Sequence, residues 1–335
     1  MNMRISTQSI MGNYNRNLNK TIGNLDSSRM KVLTTRQFNY ISEDPTAATK
    51  SFKLRREYAR LSHHMENLDS TVALFDSVSS SILNVSKILN EDVNEDVLRA
   101  VNGATSKEAR ETYAKTLRGA QENIVLNLNA KYGNRFLFGG AEVKEVPFEL
   151  NGEGRLTFRG LDVNDPANEE ALREMMGESL YMDLGFGLQV DENGVIPSTA
   201  FDTATSGLKA IGYGNRDAEG NLQPDVITVL GQLADELEKD PFEEDTYKKF
   251  MDTFVECRND AADFAADLGT KCEFLDNAKK KLTVNGDNLN KQIISTENVD
   301  MPAAISEYVW QQYAYNSALK VGTTILSQSF IDFMR

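Results

Sequence analysis

Two heptad repeats of apolar residues flank the centre of the chain. Alternate steps of four and three residues connect eleven positions from Leu54 to Leu89, and nine of them are apolar. The same steps connect eleven positions from Tyr247 to Leu282, and ten of these are apolar. A sustained 3.5-residue repeat is typical of long helices that pack along each other. Each repeat spans 36 residues, roughly 54 Å of helix, so the pattern predicts two long helices that pair.

Both ends of the chain carry shorter versions of this repeat. The N-terminal positions are Met11, Tyr14, Leu18, Thr21, Leu25, Ser28 and Val32. The C-terminal positions are Ile305, Val309, Gln312, Asn316, Leu319, Thr323, Leu326, Phe330 and Phe333. We predict two helices that coil against each other along this assembly seam. Polar seam residues fix register at a cost in stability, which makes Gln312, Asn316 and Thr323 candidates for that role.

The C-terminal helix is also apolar outside its seam. The additional residues are Tyr308, Trp310, Tyr315, Val321, Ile325 and Ile331. One interpretation is that the terminal helices complete an intramolecular bundle. One partner helix cannot cover all of these side chains, however, and large exposed apolar surfaces usually mark interfaces. Isolated helices are marginal without packing, so we expect the terminal segments to be largely disordered in the free chain and to coil together on assembly.

Helix boundaries are marked by capping residues. Asp44 can cap a helix whose first residue is Pro45, where the missing N–H costs nothing. Thr105 and Glu108 form a capping box for a further helix with an apolar face from Tyr113 to Leu128, which we expect to end near Gly133. The other expected boundaries are a stop at Asn102 and Gly103, a helix over 226–238 opened by Pro224 and Asp225, and a last helix opened by Asp300 and Pro302.

Residues 141–223 differ from both flanks. Short alternating segments such as 156–158 and 188–190 are separated by glycine turns, a pattern typical of strands. Residues 141–225 hold 17 acidic and 6 basic side chains. The predicted fold is mainly α with a β-rich insertion, a long-helix coiled-coil bundle that carries a small middle domain. Its predicted parts are an N-terminal assembly segment (1–45), the first bundle half (46–140), the acidic β-rich middle domain (141–224), the second bundle half (225–299) and the C-terminal assembly helix (300–335).

Charge and targeting signals limit the possible partners. The net charge of −14 disfavours nucleic acid and anionic membrane surfaces unless a local basic patch overrides it, and we identify no such patch. The first residues lack the apolar stretch of a secretory signal, and no run approaches the roughly 18 apolar residues of a spanning helix; alone, this indicates a cytoplasmic protein. Cys257 and Cys272 lie 15 residues apart in one predicted helix, about 22 Å, which is too far for a disulfide. We expect two buried thiols.

No catalytic, cofactor-binding or metal-binding residues are predicted. His63 and His64 are adjacent on a helix, point about 100° apart and are expected to face solvent. The sequence contains no CxxC, HExxH, GxSxG or P-loop motif. The acidic run 162–170 lacks the glycine of a calcium loop because position six would be Ala167. The sequence therefore predicts a protein that is not an enzyme.

Four segments resemble the flagellin superfamily, and within it the hook-associated protein 3 family of the second hook-filament junction protein. Residues 3–8 (MRISTQ) are similar to the family's opening, and 42–48 (SEDPTAA) resemble its Ser-Asp-Asp-Pro-x-x-Ala signature, with Glu43 in place of the first aspartate. Residues 134–140 (NRFLFGG) resemble its aromatic-aliphatic-Phe-x-Gly segment, and 325–333 (ILSQSFIDF) resemble the flagellin-type C-terminus. The likeness covers roughly residues 3–140 and 260–335.

This resemblance implies a structural subunit of the bacterial flagellum at the hook-filament junction. It also implies export, unfolded and without a cleaved signal peptide, through the flagellar type III export apparatus with the help of an export chaperone. The location would then be extracellular rather than cytoplasmic. The implied partners are the protein itself, the first hook-filament junction protein and flagellin.

Two alternatives remain. The chain could be a short flagellin that builds the filament, although flagellins commonly lack both Pro45 and the 134–140 segment. A less favoured alternative is an adhesin that binds surface glycan through its middle domain, for which the only support is scattered aromatic residues. These residues are Phe148, Phe158, Tyr181, Phe186, Phe201 and Tyr213.

Overall fold

Long helices make up most of the chain, as the heptad patterns predict. The structure is a computed structural model. It describes residues 7–333 apart from 102–105, 152–153, 193, 217–219 and 221, and within these it describes side chains between residues 9 and 324. The predicted fold class, mainly α with a β-rich insertion, is confirmed.

Helices occur along the whole length of the described chain. In chain order they are α1 (Thr7–Thr34), α2 (Pro45–Lys87), α3 (Asn94–Ala100), α4 (Lys107–Leu128), α5 (Glu169–Met176), α6 (Gly207–Ala210), α7 (Val226–Glu238), α8 (Glu244–Glu297) and α9 (Met301–Phe333). A π-helical segment (Ile88–Val93) connects α2 with α3, and short 3-10 turns cover Pro166–Asn168 and Pro197–Thr199.

The strands are short and antiparallel. They are β1 (Lys131–Tyr132), β2 (Arg135–Phe136), β3 (Gly139–Gly140), β4 (Phe148–Leu150), β5 (Leu156–Phe158), β6 (Leu161–Asp162), β7 (Tyr181–Met182), β8 (Val190–Asp191), β9 (Gly194–Val195), β10 (Phe201–Asp202) and β11 (Thr205–Ser206). Strands β4, β5 and β6 form one sheet, and the others pair as β1–β2, β3–β11, β7–β10 and β8–β9. The register of the three-stranded sheet places Phe148 opposite Phe158 and Leu150 opposite Leu156.

The chain divides into two compact units. The terminal unit comprises Met1–Ser62 with Thr283–Arg335, and the central unit comprises His63–Leu282. Helices α2 and α8 contribute to both, since the unit limits fall inside them.

In the central unit, α2 and α8 contact each other as antiparallel helices. Lys279 pairs with Asp69 at 2.7 Å, and the Lys271 ammonium lies 5.7 Å from the centre of the Phe75 ring. Positions predicted from the heptads supply much of the core between them. The buried ones are Leu68, Phe75, Ile82, Leu89, Tyr247, Phe254, Cys257, Ala261, Leu268, Leu275, Ala278 and Leu282. Cys272 is only half-buried, so the expectation of two buried thiols is wrong for that residue.

Helices α4 and α7 form a second, tightly packed pair in the central unit. Helix α7 covers residues 226–238 as predicted, and the buried Asp225 carboxylate caps it by accepting from the Ile227 and Thr228 N–H groups at 2.9 and 3.1 Å. Burial raises the pKa of Asp225. Helix α4 is capped by Ser106, whose hydroxyl accepts from the Ala109 N–H at 3.3 Å. The predicted cap Thr105 and the predicted stop at Asn102 and Gly103 lie outside the described residues.

Strand β4 packs on α4, whereas β10 lies against α2, where the Phe201 and Phe75 ring centres are 5.3 Å apart. The Asn129 side chain both donates to and accepts from the Phe148 backbone, at 2.7 and 3.0 Å. The Gln121 amide donates to the Ile227 carbonyl at 2.9 Å. The ring centres of Phe148 and Phe158 lie 5.0 Å apart, and both side chains are fully buried, so they are core residues.

Two other sequence features behave differently from expectation. His64 does not face solvent, because its ring packs on Gly185, where an added Cβ would lie 3.0 Å from the imidazole. By length and composition, the helical run Pro45–Ala100 also contains one window that is apolar enough to cross a membrane. A core helix passes the same test, and side chains such as Leu68, Phe75 and Ile82 of this run are core residues.

Candidate assembly interface

Helices α1 and α9 pack together as an antiparallel pair in the terminal unit. The Tyr14 hydroxyl donates to the Ala318 carbonyl at 3.2 Å, and Lys31 lies 3.7 Å from the Glu307 carboxylate. Contacts therefore match the beginning of α1 with the later part of α9. In the structure this pairing occurs within a single chain, whereas the sequence pattern led us to expect it on assembly.

The predicted N-terminal seam is the covered face of α1. Met11, Tyr14, Leu18, Leu25 and Val32 are all half-buried, as is Thr21, and Ser28 is buried. The positions between them are mostly exposed. The heptad steps thus select the face of α1 that its own chain covers.

Small residues determine how closely the two helices approach. Gly322 is buried, and a Cβ added to it would lie 2.1 Å from the Tyr14 hydroxyl oxygen. Any larger side chain at this position must displace the tyrosine ring. Ala304 is buried in the same helix, and Ala318, which accepts the Tyr14 hydrogen bond, is half-buried. Glycine and alanine residues of α9 therefore lie where the larger Tyr14 side chain of α1 packs.

The predicted C-terminal seam does not face α1. Ile305, Val309, Gln312, Asn316, Leu319 and Thr323 are all exposed. The covered positions of α9 are Met301, Ala304, Tyr308, Gln311, Tyr315, Ala318 and Gly322. The register expected for contact with α1 is wrong by one residue, a rotation of about 100° around the helix. The register follows from the close contact of Tyr14 with Gly322 and Ala318, a match between distant residues that a heptad pattern of apolar side chains does not detect.

Leu326, Phe330 and Phe333 lie beyond the side chains that the structure describes.

The correction leaves a large apolar surface on α9, which we call the outer face of α9. Its exposed large residues are Ile305, Val309, Trp310, Tyr313, Leu319 and Val321. Trp310 is 72% exposed and Tyr313 is 69% exposed. Tyr308 and Tyr315, which we expected to contact neighbouring subunits, are instead half-buried on the covered side. Contiguous exposed apolar surface of this kind usually marks an interaction site.

A short antiparallel bridge joins the two chain connections of the terminal unit. The Gln37 N–H donates to the Glu297 carbonyl at 2.7 Å, and the Val299 N–H donates to the Thr35 carbonyl at 3.0 Å. Arg36 and Asn298 lie opposite each other between these bonds. These hydrogen bonds join the segment that follows α1 to the segment that precedes α9. The first and last helices are thereby held close together.

Glu297 is the electrostatic centre of this bridge. Arg55 donates two hydrogen bonds to its carboxylate, both at 2.5 Å, and the Ser51 hydroxyl donates a third. The bonds from Arg55 hold the pKa of Glu297 down at about 2. Cavities of about 240 and 390 Å³ adjoin the pair, the first lined by Phe38 and Phe52 among others. No local sequence signal could have found this contact, since 242 residues separate its partners.

The predicted start of α2 lies in the same unit. Helix α2 begins at Pro45, and the Asp44 carboxylate accepts from the Ala47 N–H at 2.9 Å. The Glu43 carboxylate accepts from the Asn39 N–H at 2.7 Å and closes the loop before the cap. Asp44, Pro45 and Glu43 therefore order the connection between α1 and α2.

A large polar cavity lies in the central unit. It measures about 900 Å³ and is lined by parts of α4, α7 and the strands. Most of its charged residues are paired: Arg118 with Asp235 at 2.6 Å and Arg216 with Glu169. Asp165 in the same lining caps the turn that follows it by accepting from the Ala167 N–H at 3.0 Å.

Comparisons with known proteins agree with this architecture. Residues 5–142 match the bacterial flagellin N-terminal helical region. Over 344 aligned residues, covering 99% of this chain and all of the relative, the chain is 24% identical to flagellar hook-associated protein 3 of Salmonella typhimurium. It is 23% identical to flagellar hook-associated protein 3 of Escherichia coli, also over 99% of the chain and all of the relative.

The fold has a counterpart among solved structures. A chain described as a flagellar hook-associated protein from Vibrio parahaemolyticus superposes with a TM-score of 0.60 at 16% identity. The match covers 76% of this chain and 99% of that one. Residues 5–142 are therefore similar to the flagellin N-terminal helical region, and the predicted resemblance of the chain to the hook-associated protein 3 family of the flagellin superfamily is confirmed.

Proposed function

We propose that this chain is a structural subunit of the bacterial flagellum at the hook-filament junction and acts by packing, not by catalysis. Similarity to hook-associated protein 3 over the full length of both chains supports the location. The observation that carries the mechanism is the outer face of α9, where Trp310 and Tyr313 are exposed beside a pairing that is already satisfied.

The terminal helices would be the assembly element. Helix α1 would contact α9 of its own chain through Met11, Tyr14, Leu18, Leu25 and Val32. The outer face of α9 would then remain free to contact neighbouring subunits. The C-terminal seam residues would contact those neighbours. They are Ile305, Val309, Gln312, Asn316, Leu319, Leu326, Phe330 and Phe333. Burial of one large apolar side chain contributes about 1.5–3 kcal/mol before ordering entropy is subtracted.

The proposed partners follow the position in the flagellum. The chain would contact further copies of itself, the first hook-filament junction protein on the hook side and flagellin on the filament side. Before assembly it would be exported unfolded, without a cleaved signal peptide, by the flagellar type III apparatus. An export chaperone would cover the C-terminal helix until then, because its outer face exposes Trp310 and Val321.

Deletion of residues 311–335 tests the proposal. We expect the purified truncated chain to keep one cooperative thermal transition from the central unit, and we expect bacteria that express it to lose incorporation of the subunit at the hook tip. Loss of the cooperative transition in the truncated chain would make α9 an ordinary core helix and would contradict the proposal.

A second candidate, flagellin itself, is favoured by the match of residues 5–142 to the flagellin N-terminal region. Electron microscopy of the purified chain separates the two. A junction subunit gives short assemblies or none without its partners, whereas long filaments from this chain alone would favour flagellin.

A further inference from the structure

One face of α2 is strongly basic, which the charge of the whole chain conceals. Residues 50–60 contain Lys50, Lys53, Arg55, Arg56 and Arg60 and only one acidic residue. Arg55 turns to Glu297, whereas the other four cations are exposed and have no ion pair among the described residues. We call these four residues the basic stripe.

Helical geometry places the stripe away from the packed side of α2. Steps of three and four residues connect Lys50, Lys53, Arg56 and Arg60, so their side chains share one face. Ser51 is buried on the side opposite Arg60, and Leu54, which follows Lys50 by one turn, is buried at the edge of the stripe. The stripe therefore points to solvent, and Phe52, which is also exposed, lies beside it.

The two units carry opposite net charges. The terminal unit holds 14 Lys and Arg against 9 Asp and Glu, a net charge of +5. The central unit holds 22 against 41, a net charge of −19. When two copies of the chain meet, the basic terminal unit of one copy can therefore contact the acidic central unit of the other.

An acidic surface of the central unit is formed by residues 91–96 and 238–245. These fourteen residues contain nine carboxylates and one lysine. Five of the carboxylates form ion pairs with a neighbouring lysine or arginine, and Asp92, Glu243 and Asp245 are among the others. The Tyr247 hydroxyl donates to the Val97 carbonyl at 3.1 Å, which holds the start of α8 beside α3. We call this surface the acidic end; its exposed members include Asp92, Glu243 and Asp245.

We infer that the basic stripe of one subunit binds the acidic end of a second copy. Both surfaces are exposed in the single chain and are therefore available to another subunit. A contact between two different surfaces of identical chains is heterologous and repeats from subunit to subunit, in a ring or a helical array. The inference rests on the proposed function, because it takes a second copy of the chain as the partner. The contact that it assigns is separate from the outer face of α9.

Nucleic acid is a less suitable partner for the stripe. Phosphate backbones are attracted by the four cations, but the central unit carries a net charge of −19 that repels them. The carboxylates of a second copy are not repelled in this way, because they approach the terminal unit, whose net charge is +5.

The test measures association of full-length chains on a biosensor, with one copy immobilised and one in solution. The stripe variant is K53E/R56E/R60E, and the acidic-end variant is D92K/E243K/D245K. The matched control, K115E/K144E/K209E, reverses three exposed lysines of the central unit and changes the net charge as much as the stripe variant does. Thermal unfolding checks that each variant folds.

We expect wild-type association to weaken at least tenfold between about 50 and about 500 mM salt, because exposed charges are screened. Each variant alone loses at least tenfold in affinity, because like charges then face each other. A mixture of the stripe variant with the acidic-end variant recovers association, because opposite charges meet again. The control associates as tightly as wild type.

Three results would overturn the inference. They are association that ignores both salt and the stripe variant, a mixture of the two variants that fails to recover, and binding of duplex DNA by the stripe in a chain that does not self-associate at low salt. None of these concerns Trp310 or Tyr313. A chain that loses junction incorporation when the outer face of α9 is changed would keep its proposed function even if the stripe contact were absent.

Discussion

The pairs α4–α7 and α1–α9 are both closely packed helix pairs, but they distribute their apolar residues in opposite ways. In α4 and α7, the large side chains Leu117, Ile124, Leu230 and Leu233 are fully buried. In α9, the side that faces α1 places Ala304 and Gly322 beside the half-buried Tyr308 and Tyr315, whereas Trp310 and Tyr313 face outward.

The pair α4–α7 buries its large apolar residues in the core of its own chain, whereas the pair α1–α9 leaves large apolar residues exposed. Apolar burial stabilises in proportion to the area removed from water, so α4–α7 gains most of its packing energy within one chain. Helices α1 and α9 gain less, because the large residues at their contact are only half-buried and Trp310 and Tyr313 lie outside it. The terminal pair is therefore expected to be the less stable one in the free chain and to gain its stability from further subunits.

The largest expected effect lies in the core pair. Leu230→Ala removes a fully buried side chain of α7 and should lower the free energy of unfolding by about 2–5 kcal/mol. Urea titration of the purified chain measures it. A cost below about 1 kcal/mol would show that this pair is not the self-sufficient core that the comparison assumes.

The next effect concerns the close approach at Gly322. Gly322→Val forces the Tyr14 ring to move and should weaken the α1–α9 pair by about 1–3 kcal/mol. Amide hydrogen exchange in α1 and α9 should then rise roughly tenfold or more, since every 1.4 kcal/mol is about tenfold. Gly269→Val is the matched control, because nothing lies within 4 Å of a Cβ at that position of α8. Equal exchange in both variants would argue against the observed packing.

A smaller effect depends on pH. Because the pKa of Glu297 is lowered to about 2 from an ordinary value of 4.5, its stabilisation is complete above pH 4.5 and is lost as the pH falls towards 2. The loss should be about 1–2 kcal/mol, since the half-exposed Arg55 weakens the pair. The protection factors of the Gln37 and Val299 amides, which are corrected for the intrinsic pH dependence of exchange, should fall with acid in the wild type more than in Glu297→Gln. The exposed Glu57→Gln is the control, and an identical acid response in Glu297→Gln and wild type would refute this role.

Local patterns predicted the helices well. The heptads located the long helices α2 and α8, the short helix 226–238 was predicted to the residue, and the covered face of α1 followed from seven positions between Met11 and Val32. These features depend on periodicity and capping, which act over a few residues. The mainly α fold with its β-rich insertion was therefore predictable from the sequence.

Contacts between distant residues were not predictable in this way. The register of α9 depends on the contact between Tyr14 and Gly322. The heptad pattern did not include this contact and predicted the wrong face of α9 for the contact with α1. The Glu297–Arg55 pair joins residues 242 positions apart. The basic stripe was missed because charge was summed over long windows, whereas four cations at helical spacing produce a local basic face. The unit limits inside α2 and α8 likewise follow contacts rather than changes of composition.

The outer face of α9 is the central claim, and the double variant W310S/Y313S tests it most directly. Both side chains are mostly exposed in the single chain, so its free energy of unfolding should stay within about 0.5 kcal/mol of wild type, while the number of subunits incorporated at the hook tip should fall severely. Normal incorporation of the folded double variant, or a large loss of stability in the isolated chain, would contradict the account.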